Sequence, residues 1–109
     1  MARSRLSVLV VDDDDATRQG LTALLESWGY QPSEAADGNA ALKLCDSELP
    51  HAIVTDLMMP AMNGLEFVGA LGERIQKIAI IFVTGQATID TAVQAIKLGA
   101  YDYLTKPIE

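Results

Sequence analysis

The sequence is poor in residues that crosslink a chain, bind soft metals or carry positive charge. A single cysteine among 109 residues excludes an internal disulfide and a cysteine-based zinc site, and it favours a reducing compartment. Eight Lys and Arg against 15 Asp and Glu leave a net charge of −7, which argues against binding to a nucleic-acid backbone. No apolar run is long enough to cross a bilayer, and Asp12 comes too early for a signal-peptide core. We therefore expect a cytoplasmic domain without direct nucleic-acid or membrane binding.

Apolar residues make up half of the chain, which at this length is enough for one core but not for two domains. We find no internal repeat, low-complexity segment or linker. Instead, short apolar runs alternate with amphipathic segments. This alternation predicts an α/β fold with an open parallel sheet and right-handed crossovers.

Five apolar runs predict strands, and four amphipathic segments predict helices. The strands are predicted at Leu6–Val11, Gln31–Ala36, Ala52–Asp56, Ile78–Val83 and Tyr101–Leu104. The helices are predicted around a face of Leu21, Leu24, Leu25 and Trp28, and at Ala40–Ser47, Gly64–Ile75 and Ala87–Leu98. Pro32 indicates a sheet edge for the second strand because proline donates no ladder hydrogen bond. Gly29 and Gly99 are expected to end helices.

Polar side chains stand where the predicted strands end. Asp12 and Asp13 follow the first strand, Asp56 ends the third, and Thr84 and Lys106 follow the fourth and fifth. The carboxyl ends of parallel strands share one edge of the sheet, where functional sites lie in such folds. We therefore expect these five side chains to meet there.

Phosphoryl transfer is the chemistry that this set of side chains suits. Converging carboxylates repel one another unless a cation lies between them, and oxygen ligands favour Mg²⁺ before Mn²⁺ or Ca²⁺. A carboxylate beside Mg²⁺, a lysine and a hydroxyl can attack phosphorus in line and form an acyl phosphate. The strand ends are therefore predicted to carry a phosphoryl-transfer site.

Four separated motifs carry a family resemblance. They are Val10-Val11-Asp12-Asp13-Asp14; Asp56-Leu57-Met58-Met59-Pro60 with Met62-Asn63-Gly64 after it; Val83-Thr84-Gly85; and Tyr103-Leu104-Thr105-Lys106-Pro107. In this order and spacing the chain resembles the receiver domain of bacterial two-component response regulators along essentially its whole length. The resemblance implies a flavodoxin-like open five-stranded parallel sheet in the order 2-1-3-4-5. The stretch Thr84–Glu109 looks most like receivers of enhancer-binding transcription activators, which carry an ATPase and a helix-turn-helix.

The resemblance also implies roles at the site. Asp56 would be the phosphoacceptor. Asp12 and Asp13 would hold Mg²⁺ together with Asp56, and the backbone carbonyl of Met58 would be a further ligand. Lys106 would contact the phosphoryl group. The donor would be a sensor histidine kinase or a small phosphodonor, and the domain would hydrolyse its own acyl phosphate without acting as an enzyme on other substrates.

A switch is implied next to this site. Thr84 would move toward the phosphoryl group, and Tyr103 would rotate inward behind it. In the family the change is read on the surface formed by the fourth helix, the fifth strand and the fifth helix. Met58 and Gln86 occupy the two positions that tune hydrolysis in relatives, and the Lys106–Pro107 peptide bond is expected to be cis.

The C-terminus departs from the family pattern. A receiver closes with a fifth helix, whereas this chain ends at Glu109. We expect residues 1–109 to be a receiver truncated after the fifth strand, with a C-terminal output domain, controlling transcription, outside the chain. Apolar side chains on one sheet face would then lie bare, and a second copy is expected to cover them in a homodimer.

Three other functions fit the residues less well. A Mg²⁺ phosphatase with an aspartyl-phosphate intermediate needs a second acidic residue at the position of Met58, and a cap insertion to hold its substrate. A dinucleotide-binding domain needs a glycine-rich turn where this chain has Asp12–Asp15. A binding-only pseudo-receiver would lack site residues, but all are present.

Asp14 and Asp15 are expected to serve the first helix rather than the site, and Cys45 is expected in the core.

Overall fold

The computed structural model describes residues 5–106, which form five strands, four α-helices and one 3₁₀ turn. Along the chain these are β1 (Ser7–Val11), α1 (Asp15–Ser27), β2 (Gln31–Ala35), α2 (Gly38–Ser47), β3 (Ala52–Asp56), α3 (Gly64–Leu71), the 3₁₀ turn (Gly72–Lys77), β4 (Ala79–Thr84), α4 (Ile89–Leu98) and β5 (Asp102–Thr105). The predicted alternation of strands and helices is confirmed. Within residues 5–106 no helix has the length and apolar character needed to span a membrane.

The five strands form one parallel sheet in the order β2-β1-β3-β4-β5. The predicted fold class and strand order are therefore confirmed. Asp56 lies opposite Val83, and Thr84 lies opposite Thr105, so the ends of the three strands on this side of the sheet are level. β2 forms an edge of the sheet, as Pro32 indicated.

Three helix boundaries differ from the prediction because local residues determine where a helix begins and ends. The helix predicted at Ala40–Ser47 begins two residues earlier, at Gly38, because the Asp37 side chain caps it by accepting from the N–H of Ala40. The helix predicted at Gly64–Ile75 ends as an α-helix at Leu71, since Gly72 adopts φ 61° and the chain continues as a 3₁₀ turn. The helix predicted at Ala87–Leu98 begins two residues later, because the Thr88 side chain caps it by accepting from the N–H of Thr91. Gly99, with φ 93°, ends α4 as expected.

The main core lies on the sheet face covered by α2, α3 and α4. Alternate residues of β3 and β4 point into it, and both phenylalanines of the chain are fully buried there. Its central members are Leu9, Val11, Ile53, Phe67, Val68, Ile80, Phe82 and Ala95. Cys45 is buried in the same cluster, as expected, and burial raises the pKa of its thiol. This face holds the strands rigidly and so positions their carboxyl ends.

The opposite sheet face is covered by α1 and is otherwise open among the described residues. A groove of about 540 Å³ lies there, with a lining that includes Leu6, Val8, Leu25, Trp28, Val54 and Ile81, which we call the open face. The apolar side of α1 is not buried as its pattern predicted, since Trp28 is 65% exposed. Among the strand residues that line the groove, Val8 is buried and Val54 and Ile81 are half-buried, so this face is partly covered and its strands are not bare as expected.

Candidate functional site

The loop after β1 divides its four aspartates between the sheet edge and α1. The Asp14 carboxylate caps α1 by accepting from the hydroxyl of Thr17 at 2.6 Å and from its N–H at 2.8 Å. These hydrogen bonds, the hydroxyl first, lower the pKa of Asp14. Asp15 is exposed and forms an ion pair with Arg18. Asp14 and Asp15 therefore serve the helix, as expected, and Asp12 and Asp13 remain at the strand end.

Arg18 fastens this loop to its surroundings. Its Nη1 donates to the backbone carbonyl of Asp12 at 2.8 Å, its Nη2 to Asp15 at 2.6 Å, and its Nε to Glu34 on β2 at 3.0 Å. The side chain is 12% exposed, and the hydrogen bond to Asp15 contributes most to raising its pKa. Sequence reasoning missed Arg18. An arginine one turn into the first helix, with acidic residues before it, was the available signal.

The end of β3 presents Asp56 in a tightly folded loop. Asp56 is 8% exposed, and its Oδ1 accepts from the N–H of Met58 at 3.1 Å. The loop returns so closely that a Cβ at Gly64 would overlap the Asp56 carbonyl oxygen. Asn63 then begins α3 with a capping box shared with Glu66. Glycine at position 64 thus lets α3 start directly beneath the acidic side chain.

Lys106 joins two of the carboxylates. Its Nζ lies 2.8 Å from Oδ2 of Asp56 and 3.0 Å from Oδ2 of Asp12. Burial alone would lower the pKa of Lys106, but the hydrogen bonds to Asp56 and Asp12 outweigh it and raise the pKa above its usual value. The backbone N–H of Lys106 donates to the carbonyl of Thr84 at 2.9 Å. Pairing of β5 with β4 therefore brings the ammonium group to the acidic edge.

The acidic edge has the donor set of a hard divalent cation. One carboxylate oxygen from each of Asp12, Asp13 and Asp56 lies within 4.8 Å of the others. Carboxylate oxygens at such spacing suit Mg²⁺ or Ca²⁺. Asp12 and Asp56 are buried and Asp13 is exposed, so a cation bound there would still have access to water. The predicted ligand role of the Met58 carbonyl stays a prediction.

The two predicted switch residues lie on β4 and β5. Thr84 is fully buried, and its hydroxyl accepts from the N–H of Gln86 at 3.1 Å. Tyr103 is half-buried against the core, and its hydroxyl lies 2.6 Å from Oγ1 of Thr91 on α4. Sequence reasoning missed Thr91, because the third position of a capping box is usually Glu or Gln and here a threonine takes that place. The predicted cis bond before Pro107 lies outside the described residues.

Together these groups form an electrostatically prepared acceptor. The Asp56 carboxylate stands at a strand end beside the Lys106 ammonium and two further carboxylates, those of Asp12 and Asp13. Lys106 compensates only part of that negative charge. The arrangement suits the transfer of an anionic group whose oxygens a lysine and a divalent cation can hold.

Comparison with known proteins finds one family along the chain. The family model described as the response regulator receiver domain matches residues 8–109. A response regulator described as NtrX-like from Rickettsia conorii is 38% identical over 106 residues, which are 95% of this chain and 22% of that protein. The transcriptional regulatory protein FixJ from Azorhizobium caulinodans is 42% identical over 107 residues, which are 95% of this chain and 49% of that protein. The chain thus spans less than half the length of either relative.

A solved structure supports the same assignment. The crystal structure of a response regulator protein from Burkholderia pseudomallei, with a phosphorylated aspartic acid, calcium ion and citrate, superposes with a TM-score of 0.89. Its sequence identity is 36%, and the match covers 95% of this chain and 61% of that one. Family, relatives and fold therefore agree.

Proposed function

The chain belongs to the response regulator receiver domain family, and from this premise we propose that it accepts a phosphoryl group on Asp56 and thereby switches an output. One observation carries the proposal. The Lys106 ammonium bonds both Asp56 and Asp12 at the carboxyl edge of the sheet, where Asp13 completes a cluster of three carboxylates.

Mg²⁺ fits this cluster by charge, donor type and spacing. We propose Asp12, Asp13, Asp56 and the backbone carbonyl of Met58 as its ligands. When bound, Mg²⁺ neutralises phosphoryl oxygens and so lowers the barrier to attack by an anion. Arg18 holds the Asp12 backbone in place, so that the first two ligands need little rearrangement.

The residues divide the transfer step among them. A carboxylate oxygen of Asp56 forms a bond to phosphorus in line with the bond to the donor, which breaks with its electron pair leaving on the donor. Lys106 is already within hydrogen-bond distance of Asp56 and would hold a phosphoryl oxygen. Thr84 would turn its hydroxyl to another. Attack of water on phosphorus then returns Asp56 and inorganic phosphate.

The lifetime of the acyl phosphate depends on two exposed positions beside the site. Met58 is apolar and offers no group that orients water, whereas the Gln86 amide can do so. We infer a moderate lifetime from this pair. Self-phosphorylation and self-hydrolysis are the only reactions proposed for the domain.

The proposed partners follow from the family. A sensor histidine kinase in the cytoplasm would donate the phosphoryl group, and an output domain following the receiver would read the change at Thr84 and Tyr103. Transcription control is supported by FixJ, which is named as a transcriptional regulatory protein. We also propose a homodimer in which a second copy covers the open face, because an apolar groove that exposes a tryptophan favours burial.

Intact-mass measurement after incubation with acetyl phosphate and Mg²⁺ tests the acceptor. We expect one added phosphoryl group on the wild type and none on Asp56→Asn. Asp46→Asn is the matched control, since Asp46 is an exposed aspartate on α2 whose contact is with Arg74, and it should react like the wild type. A wild type that stays unmodified, or an adduct that survives Asp56→Asn, would contradict the proposal.

A further inference from the structure

A hydroxyl pair connects β5 to the first turn of α4. The Tyr103 hydroxyl lies 2.6 Å from Oγ1 of Thr91, which is the third residue of α4. Tyr103 is half-buried against the core, and Thr91 is half-buried beside it. The contact is therefore shielded in part from water, where a hydrogen bond stabilises more than at an exposed site.

The Thr91 hydroxyl also belongs to the capping box of α4. It accepts from the N–H of Thr88 at 3.2 Å, donates to the Thr88 carbonyl at 3.1 Å, and lies 3.0 Å from the Thr88 hydroxyl. A hydroxyl has one proton and two lone pairs. The Thr91 hydroxyl donates its proton to the Thr88 carbonyl and uses one lone pair for the Thr88 N–H, so one lone pair is left. The Tyr103 hydroxyl lies closer to it, at 2.6 Å, than the Thr88 hydroxyl, at 3.0 Å. We therefore assign the remaining lone pair to the proton of Tyr103.

We propose that Thr91 is a positioning residue of the switch, whose hydroxyl holds Tyr103 against the first turn of α4 and opposes its inward rotation. This inference rests on the proposed function, because it assigns a residue to the switch of that same site. Any ligand of the phosphoryl site that favours the rotated ring must first break this bond.

When Tyr103 rotates away, the hydroxyl of Thr88 can replace it as the donor to Thr91. The Thr88 hydroxyl lies close enough to donate into the vacated lone pair, so the helix end is satisfied with either partner. Two arrangements at one helix end, each of which fills this lone pair of Thr91, form a two-state element. Ile89, Val93 and Ile96 are exposed on the same helix, so the change at Thr91 occurs beneath an apolar surface that an output can read.

Four single variants and one double variant separate the bond to Tyr103 from the capping of α4. Thr91→Val removes the hydroxyl with little change in shape, and Thr91→Ser restores it. Thr88→Val is the matched control, because it breaks the other half of the capping box and leaves the bond between Thr91 and Tyr103. Tyr103→Phe removes the partner hydroxyl, and its combination with Thr91→Val completes a double-mutant cycle.

The measurement is the affinity for beryllofluoride, a phosphoryl mimic, in the presence of Mg²⁺. Because a hydrogen bond contributes modestly in net terms, we expect Thr91→Val to bind beryllofluoride about threefold to tenfold more tightly than the wild type. Thr91→Ser should stay within about twofold of the wild type, below the effect of one such bond. Thr88→Val, which removes the replacement donor, should not bind beryllofluoride more tightly than the wild type. In the Tyr103→Phe background, Thr91→Val should have no further effect.

A second readout needs no ligand at the phosphoryl site. Three-bond couplings of the Tyr103 side chain in the unliganded protein should report one χ1 rotamer in the wild type and a mixture in Thr91→Val. Equal affinities of Thr91→Val and Thr88→Val, an effect that persists without the Tyr103 hydroxyl, or unchanged couplings would overturn the role of Thr91. Failure of the wild type to bind beryllofluoride would instead contradict the proposed function, and the couplings would still decide the role of Thr91.

Discussion

Lys106 is the residue on which the electrostatics of the site depend. Its ammonium group contacts two buried carboxylates, Asp12 and Asp56. A buried carboxylate without a partner is costly, so removal of the lysine leaves negative charge uncompensated. Under the proposed function the same lysine would also hold a phosphoryl group on Asp56, so one side chain would serve both the free site and the transferred group.

The raised pKa of Lys106 predicts a loss of stability at alkaline pH. The folded state holds the Lys106 proton more tightly than the unfolded state does. The contribution of this lysine to the free energy of unfolding is therefore complete below the ordinary lysine pKa of about 10.4, and it is lost as pH rises through the folded-state pKa. We expect Lys106→Met to be less stable than the wild type at neutral pH, and to lose less stability as the pH rises from about 9 to about 12.

Urea unfolding across this pH range measures both effects. Lys43→Met is the control, because Lys43 is exposed on α2 and the variant should follow the wild-type profile. Parallel profiles for the wild type and Lys106→Met would show that the ammonium group gains nothing from its two carboxylates.

The β3–α3 connection is the element that positions Asp56, the proposed phosphoacceptor. A side chain at Gly64 would meet the Asp56 carbonyl oxygen, and Ala61 in the same loop adopts φ 66°, which is unfavourable for a residue with a Cβ. A loop held in such a conformation fixes Asp56 at the strand end, where its Oδ1 accepts from the N–H of Met58.

Gly64→Ala should therefore reduce both stability and phosphorylation. We expect a loss of about 1–3 kcal/mol in the free energy of unfolding, typical of overpacking at a rigid position, and slower modification of Asp56 by acetyl phosphate. Gly69→Ala is the matched control, since Gly69 lies in α3 with open space around it, and it should stabilise the protein by about 0.5–1 kcal/mol. Denaturant unfolding and the rate of mass increase measure the two effects, and a Gly64→Ala variant as stable as Gly69→Ala would contradict the close packing.

The sequence predicted some elements and contacts correctly and missed others, and the reason is physical. The apolar runs and the polar residues at their ends predicted the sheet and the meeting of Asp12, Asp13, Asp56 and Lys106, because in a parallel sheet topology alone brings strand ends together. The predicted end of α3 was wrong, since Gly72 breaks the helix although the apolar periodicity continues beyond it. Arg18 and Thr91 were missed because their partners, Glu34 and Tyr103, come from other elements. Such contacts exist only after the sheet has formed.

At the scale of the whole molecule, the acidic excess predicts stabilisation by Mg²⁺. The net charge is −7, and three of the carboxylates converge in the folded state. Since a ligand that binds only the folded state stabilises it, we expect the Tm to rise with millimolar Mg²⁺. The rise in Tm should be much smaller in Asp13→Asn than in the wild type. It should equal that of the wild type in Asp46→Asn, which leaves the cluster intact. An unchanged Tm of the wild type would count against the metal site.

The open face makes the second whole-molecule prediction. We expect light scattering to report a molar mass that rises toward that of a dimer as the concentration increases. Trp28→Gln should remain a monomer, because Trp28 is the largest side chain that lines the groove and is 65% exposed. Ile96→Gln is the control, since Ile96 is also exposed but lies on α4, and it should associate like the wild type. A wild type that is monomeric at the highest concentration would refute the homodimer.

Identification of the modified residue tests the central claim most directly. Borohydride reduces an acyl phosphate of aspartate to homoserine, which peptide mass mapping can locate. After treatment with acetyl phosphate and Mg²⁺, we predict homoserine at position 56 and at no other aspartate, because the family resemblance gives the phosphoacceptor role to Asp56, which contacts the Lys106 ammonium and shares a cluster with Asp12 and Asp13. Homoserine at position 12 or 13, or intact aspartate at position 56 in the phosphorylated protein, would contradict the assignment of Asp56 as the phosphoacceptor.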